Sequence, residues 1–287
     1  YKWTPPNVSK FAGRTFNGYQ RNDGRVGTAN YWLFIPTVFC ENRNLDVIKE
    51  VLNNELGYSD TEKYKHYARS LVKAYEEGKN LDQFDAEQLV PKQKQQRLFE
   101  NVDGIKFLNH EGGCGGTRQD SAILSSLLVS YADHPNVAGV TLLSLGCQHL
   151  QVQDFKNDIL KRNPSFDKPL LIFEQQAMES EETLVKKAIS QTFRNLVEIN
   201  KIERTPAPLD KLVVGVKCGG SDGFSGISAN PAVGYTSDLL VGLGAKVLLA
   251  EFPELCGAEQ DLIDRSVSKE VAEKFIHLMR SYNELAE

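Results

Sequence analysis

From Tyr31 onward, short apolar runs alternate with stretches whose apolar residues recur at helical spacing, and nothing else in the chain constrains its fold as strongly. Parallel strands cannot be joined by tight turns and need a crossover, usually a helix, so this alternation reads as a series of βαβ units. The expected fold class is α/β, with mainly parallel, Rossmann-like sheets flanked by helices and arranged in two lobes. Helices are expected over residues 45–56, 61–77, 118–131, 152–161, 178–201, 231–243 and 266–282. The polar stretch 81–102, rich in Gln and Lys, reads as a surface excursion with some helix.

All five cysteines, Cys40, Cys114, Cys147, Cys218 and Cys256, fall shortly after one of the apolar runs. In an open α/β sheet the ligand crevice lies outside the carboxyl ends of the strands. The cysteine-bearing loops are therefore expected to mark that crevice. Their spacing lacks the close, even pattern of a disulfide framework, and no charged-then-apolar leader is present, so the expected location is the reducing cytoplasm.

Bulk properties narrow the partners. No apolar run approaches the ~18 residues that a membrane helix needs, and the formal net charge of -5 comes without any stretch dense in Lys and Arg. Neither a membrane nor a nucleic acid is an expected partner; a small molecule is, and a homodimer is an open expectation that no specific residue pattern supports. Both ends read as cut, since Tyr1-Lys2-Trp3-Thr4-Pro5-Pro6 resembles an extended linker and the apolar stripe Val267, Val271, Phe275, Leu278 and Tyr282 needs something to pack on. Residues 1–17 are expected to be linker, 18–204 a first α/β lobe, and 205–287 a second, truncated α/β lobe. The boundary is set where Thr205-Pro206-Ala207-Pro208 interrupts an amphipathic helix.

Two glycine-rich segments carry most of the chemistry. In Lys217-Cys218-Gly219-Gly220-Ser221-Asp222-Gly223-Phe224-Ser225-Gly226, glycines allow close approach of backbone to a ligand, and small polar side chains supply donors and acceptors. Asn230-Pro231 reads as the N-cap and first residue of the following helix. In His110-Glu111-Gly112-Gly113-Cys114-Gly115-Gly116-Thr117-Arg118-Gln119-Asp120, the His, Glu and Cys could ligate a metal or form an acid/base pair, and Thr117 with Asp120 has the form of a capping box. Neither segment matches a phosphate-binding Gly-Lys-Ser/Thr loop or a well-placed G-x-G-x-x-G. Cys147 and His149 follow a third apolar run and could face the same crevice. Arg21 and Arg25 flank an Asp-Gly turn and could grip a carboxylate, while Glu251, Glu254 and Glu259 offer carboxylates for a divalent cation or a proton.

Taken in order, Gly18-Tyr19-Gln20-Arg21-Asn22-Asp23-Gly24-Arg25-Val26-Gly27-Thr28, Ile35-Pro36-Thr37-Val38-Phe39-Cys40, the His110–Asp120 segment, His134-Pro135-Asn136, Leu145-Gly146-Cys147, and the blocks 217–231 and 251–259 resemble the altronate and galactarate dehydratase family over nearly the whole chain. The resemblance implies a hydro-lyase that removes water from a sugar acid to give a 2-keto-3-deoxy acid, assisted by Fe2+ or Mn2+. It also implies a parent enzyme with a β-rich N-terminal domain and a longer C-terminal region. Within the family, the form of the His110 segment is closest to altronate dehydratases. D-altronate is accordingly the favoured substrate, with galactarate and sulfolactate as alternatives.

Removing the proton beside a carboxylate builds a second negative charge on the same group, so the site needs a base, an acid and positive charge. His110, Glu111, His149 and Asp222 are the candidate acid/base groups. Arg21, Arg25, Gly219, Gly220, Ser221 and Ser225 are the candidates for holding substrate. Cys114, Cys147, Cys218, Glu251 and Glu254 are the candidate metal ligands. Two readings from other classes compete: an iron–sulfur module built on the thiols, weakened by the absence of Cys-x-x-Cys spacing, and a non-catalytic sugar-acid binding domain.

Overall fold

The structure is a computed structural model that describes residues 4–59, 61–83, 96–220 and 222–287. It divides into two units, one formed by residues 18–205 and the other by residues 1–17 with 206–287. The chain is an α/β protein, as the alternating pattern requires. Among the described residues no helix is long and apolar enough to cross a membrane.

The chain opens with β1 (Thr15–Gln20), which pairs antiparallel with β2 (Val26–Gly27). The body of the larger unit is then β3 (Tyr31–Pro36), α1 (Asn42–Glu55), α2 (Glu62–Glu76), β4 (Gly104–Phe107), α3 (Arg118–Asp133), β5 (Val137–Ser144), α4 (Val152–Arg162), β6 (Leu170–Glu174) and α5 (Glu181–Ile199). The four strands β3 to β6 form an all-parallel sheet in the order β4-β3-β5-β6. Most of the stretch 81–102 expected to be a surface excursion, residues 84–95, lies outside the described residues.

Period-two alternation on β3 builds both halves of the core. Trp32 and Phe34 face one way and pack with Leu45, Ile48 and Leu52 of α1 and Leu184, Ala188 and Leu196 of α5. Leu33 and Ile35 face the other way, against Leu128, Val129 and Ala132 of α3 and Phe155 and Ile159 of α4. A strand buried on both faces cannot alternate polar with apolar, which is why Tyr31-Trp32-Leu33-Phe34-Ile35 reads as one apolar run.

The indole of Trp32 fixes the register of the central strands. Its Nε1 donates to Thr141 Oγ1 at 2.9 Å, and Thr141 shares a 2.8 Å hydrogen bond with Thr192 of α5, all three side chains being fully buried. The ring lies against Gly139 on the neighbouring strand, where a Cβ would sit 2.2 Å from Trp32 Cζ3. Glycine is required there by space, not by conformation.

The smaller unit contains β7 (Thr205–Pro208), β8 (Val213–Val216), α6 (Gly223–Ile227), α7 (Ala229–Gly242), β9 (Lys246–Leu249), α8 (Glu259–Asp264) and α9 (Lys269–Ala286). β8 and β9 pair in parallel, Val213 opposite Lys246 through Val216 opposite Leu249. Of the expected apolar stripe, Phe275 and Tyr282 meet the ring of Phe252 edge to face at 5.8 and 6.4 Å, while Val267, Val271 and Leu278 remain exposed.

Gly139→Ala is expected to destabilise the chain by roughly 2–3 kcal/mol, the cost of forcing an added methyl into a packed core. The comparison of urea midpoints with the parent checks it. An unchanged midpoint would show that the indole has room to withdraw.

Candidate active site

Because β3 to β6 are parallel, the segments that follow them gather at one end of the sheet. Main-chain hydrogen bonds lock these segments to each other. Phe39 N donates to Gly112 O at 3.0 Å, His149 N to Gly113 O at 3.1 Å, and Gln176 N to Leu145 O at 3.1 Å. Gly113 makes the closest approach: its φ is +98°, and a Cβ would lie 2.3 Å from Thr37 O. Gln148, buried beneath the third segment, donates from Nε2 to Ser144 Oγ and Leu150 O while its Oε1 accepts from Gly146 N.

This locking decides between the two histidines. His110 Nε2 lies 2.7 Å from Pro36 O, which can only accept, and Nδ1 accepts from Gly112 N at 3.1 Å. The geometry assigns the neutral Nε2–H tautomer, with both ring nitrogens engaged. His110 is therefore a strap between two segments, and the expectation that it acts as a base loses its free lone pair. His149 is exposed and lines the adjoining space.

That space is a cleft of about 300 Å³ bordered by Glu111, Cys114, Thr117, Ser121 and His149. Through Gly116, Ser121 and His149 it runs on into a groove of about 610 Å³ lined by Arg118, Asp154 and Asp158. Thr117 and Asp120 form the expected capping box at the start of α3, with Asp120 N donating to Thr117 Oγ1 and Thr117 N donating to Asp120 Oδ2. The backbone bond from Thr117, with a second from its hydroxyl, holds the Asp120 carboxyl below the usual range. A larger cleft of about 810 Å³ lies along the outer strand β4, where Lys49, Lys65, Arg97 and Lys106 interleave with Asp46, Glu50 and Asp103. It is not at the carboxyl ends, where ligands of such sheets bind.

The smaller unit repeats the arrangement on β8 and β9. A cleft of about 560 Å³ is bordered by Lys217, Cys218, Asn230 and Glu254. Asn230 Nδ2 approaches Cys218 Sγ at 3.5 Å, and Lys217 Nζ pairs with Glu251 Oε1 at 2.9 Å. That bond to Glu251 raises the Lys217 pKa, so the side chain stays an ammonium. Glu251 has left-handed backbone, φ 61° and ψ 62°, the only non-glycine residue with positive φ among the described residues. Strain of this kind collects at functional sites. Sequence reasoning does not single out Lys217; its position at the end of β8, one residue before Cys218, is the signal that could have found it.

The glycine-rich segment of this unit departs from expectation. Asp222 caps α6, accepting from Ser225 N at 2.8 Å, and the backbone bonds it accepts, that from Ser225 foremost, pull its carboxyl below the usual range. Ser225 Oγ donates back to Asp222 O at 2.9 Å. Asp222 and Ser225 thus serve each other first, leaving Gly219 and Gly220 as the exposed backbone of the turn. Ser221 lies outside the described residues. α7 begins at Ala229 with Ser228 as its N-cap, so Asn230 and Pro231 stand inside its first turn instead of capping it: the short helix α6 occupies chain that its glycine content makes read as loop.

Arg21 and Arg25 are not at this end of the sheet. Arg21 donates from Nε to Pro135 O at 2.8 Å, and from Nη2 to Ala29 O and Asn30 Oδ1, next to the amino ends of β3 and β5. Arg25 makes a two-pronged contact with Asp133, at 2.9 and 2.7 Å, and also pairs with Asp23. Their donors are committed within the fold at the opposite end from the cleft. Within neither unit is the expected metal set assembled: no group of three or more His, Cys, Asp or Glu side chains that could hold a metal exists among the described residues. None of the five cysteines is in a disulfide, and Cys114 and Cys147 are exposed. Neither unit alone holds four thiols, and among the described residues no closed ligand shell is found within either unit.

Two family models match the chain. Residues 18–200 match the second domain of D-galactarate dehydratase/altronate hydrolase, and residues 209–287 match the C-terminal domain of D-galactarate/altronate dehydratase. Among curated relatives, altronate dehydratase of Bacillus subtilis (strain 168) is 28% identical over 287 residues, covering 99% of this chain and 48% of that protein. Galactarate dehydratase (L-threo-forming) of Escherichia coli (strain K12) is 29% identical over 282 residues, 97% of this chain and 47% of that protein. The (2R)-sulfolactate sulfo-lyase subunit beta of Chromohalobacter salexigens is 23% identical over 272 residues, 94% of this chain and 55% of that protein. The chain spans about half the length of the relatives it matches.

The committed arginine pair has a measurable consequence. Burial alone would raise the Asp133 carboxyl, but hydrogen bonds from Arg25 and Asn163 outweigh it and hold it below the usual range; Arg25 does the same for Asp23. Carboxyls depressed in the fold contribute stability above their unfolded pKa, ~4, and lose it as pH falls through the folded values. Arg25→Ala is expected to cost about 2 kcal/mol at pH 7, less than the ~3–5 kcal/mol of a fully buried pair because the Arg25 side chain is 37% exposed. Thermal melts across pH 3–7 check it, the deficit narrowing below about pH 4.

Proposed function

Because the chain belongs to the D-galactarate/altronate dehydratase family, we propose that it is the part of a hydro-lyase that dehydrates a sugar acid, with D-altronate as substrate and 2-keto-3-deoxy-D-gluconate as product. The observation that carries the reading is the cleft at the carboxyl ends of β3 to β5, where exposed His149 and Glu111 face one space in a chain matched by both domain models.

In this proposal His149 takes the proton from C2 of the bound acid. The electron pair of that C–H bond becomes the C2–C3 double bond of an enol as the C3–O bond breaks. A proton passed through Glu111, which borders the same cleft, leaves with the departing hydroxyl as water. The enol then gives up its O–H proton as it gains one at C3 and becomes the 2-keto-3-deoxy acid. His149 is preferred to His110 because its imidazole is exposed in the cleft, whereas both nitrogens of His110 are tied to backbone. In the smaller unit the Lys217 ammonium and the exposed turn at Gly219 and Gly220 are suited to hold an anionic group. No step is drawn through iron or manganese, since the five expected ligands do not assemble within either unit.

The test is turnover of D-altronate, galactarate and sulfolactate, following the keto acid formed from the two sugar acids and sulfite released from sulfolactate. Turnover of D-altronate is expected; turnover confined to galactarate or sulfolactate would move the substrate to that relative's, and saturable binding without turnover would identify a binding domain. His149→Ala is expected to lower kcat by roughly 10²–10⁴-fold, the usual contribution of a general base, with an unchanged melting temperature. His110→Ala is expected to lower the melting temperature instead, because a buried carbonyl and a backbone N–H lose their partner. The reverse pattern would exchange the two roles.

A further inference from the structure

The described residues contain two fully or nearly fully buried carboxylates, and they are treated differently. Asp133 has Arg25. Glu41, which follows Cys40 after β3 and occupies the N-cap position of α1 without a side-chain capping bond, is 0% exposed and forms no ion pair among the described residues. The basic side chain beside it in sequence, Arg43, turns outward to Glu181 at 3.7 Å. Glu41 Oε2 accepts from Asn44 Nδ2 at 2.9 Å, and the same Nδ2 reaches Gln175 Oε1 at 3.4 Å, so three polar side chains converge between the start of α1 and the turn after β6.

Beyond the Asn44 amide, no donor serves the remaining acceptors here. Glu41 Oε1, Asn42 Oδ1 and Asn44 Oδ1 are all buried without a hydrogen-bond partner, and all three are acceptors within one helical turn. Burial pushes the Glu41 carboxyl up, the Asn44 amide partly offsets this, and the negative Glu181 pushes it up again. The positive end of the α1 dipole favours the ionised form by at most ~2 kcal/mol. That is short of the several kcal/mol that an uncompensated buried ion costs. A proton would neutralise Glu41 but could satisfy only one further acceptor. A hard cation collects several oxygens at once, and an ionised carboxylate with amide carbonyls is the ligand chemistry of Mg2+, Mn2+ and Ca2+.

We propose that Glu41 and Asn44, with Gln175 beside them, bind a hard divalent cation that ties the segment after β3 to the turn after β6. The site adjoins the segments that border the cleft at His149. Asn42, next to Glu41, donates from Nδ2 to His110 O at 2.9 Å, and Gln176, next to Gln175, is bonded to Leu145 in the segment that carries His149. The cation would hold both histidine-bearing segments in place without the thiols. This inference does not depend on the dehydratase reading, because binding is measured without turnover.

The experiment is titration of the chain with Mn2+, followed by the paramagnetic resonance of the free ion, beside melting curves with and without Mn2+ or Mg2+. One Mn2+ per chain and a rise in melting temperature are expected. Glu41→Gln keeps the shape and removes the charge; it is expected to weaken binding by about tenfold or more and, without metal, to melt no lower than the parent. Asn44→Ala, which keeps the carboxylate, is expected to weaken binding as well, whereas Cys114→Ala and Glu254→Gln bind as the parent does. Absence of Mn2+ binding by the parent, undiminished binding by both Glu41→Gln and Asn44→Ala, or loss of binding on removing Cys114 or Glu254 would each overturn the proposal.

Discussion

The larger unit depends on β3 being buried on both faces. Its four central residues, Trp32 to Ile35, contribute to both halves of the core, and the bond from Trp32 to Thr141 ties it to β5 in a single register. Since side chains alternate with period two, a slip of one residue would carry Trp32 from the α1/α5 side to the α3/α4 side. The glycine at 139 removes the one side chain that would compete with the indole. With β3 fixed between β4 and β5, the segments after all three strands are obliged to meet at one end.

Meeting there, they make a site out of backbone more than out of charge. Phe39, Gly112, Gly113 and His149 are joined through main-chain N–H and C=O groups, and His110 joins Pro36 to Gly112 through its ring. This frame ties each segment to its neighbour through hydrogen bonds, and it leaves His149, Glu111 and Cys114 as exposed groups. The opposite end of the sheet is held by a different kind of contact, the ion pairs of Arg25 with Asp23 and Asp133. Position at one end or the other decides which polar residues bind a ligand and which hold the fold.

Some of this organisation is legible in the order of the amino acids. The apolar runs at 31–39, 105–109 and 137–146 mark strands, the capping residues Thr117 and Asp120 start a helix where expected, and the family resemblance rests on motifs spread from Gly18 to Glu259. Arg21 and Arg25 show where such legibility stops. Two arginines around an Asp-Gly turn look the same whether they face a substrate or Asp133, 108 residues away in sequence, and nothing local reveals the partner. Glu41 shows the converse, since a single Glu after a Cys has no pattern, and its isolation is visible only once the residues around it are known to exclude water and supply no cation.

The sequence by itself determined the α/β class, the strand-to-helix rhythm and the family, because these follow from periodicity and local motifs that survive without knowledge of long-range contacts. Only the tertiary structure decided which histidine is free, which acids are paired and which glycines are demanded by a neighbour. Those properties belong to atoms brought together across tens of residues, and burial and hydrogen-bond partnership, which set their chemistry, are not properties of any residue alone.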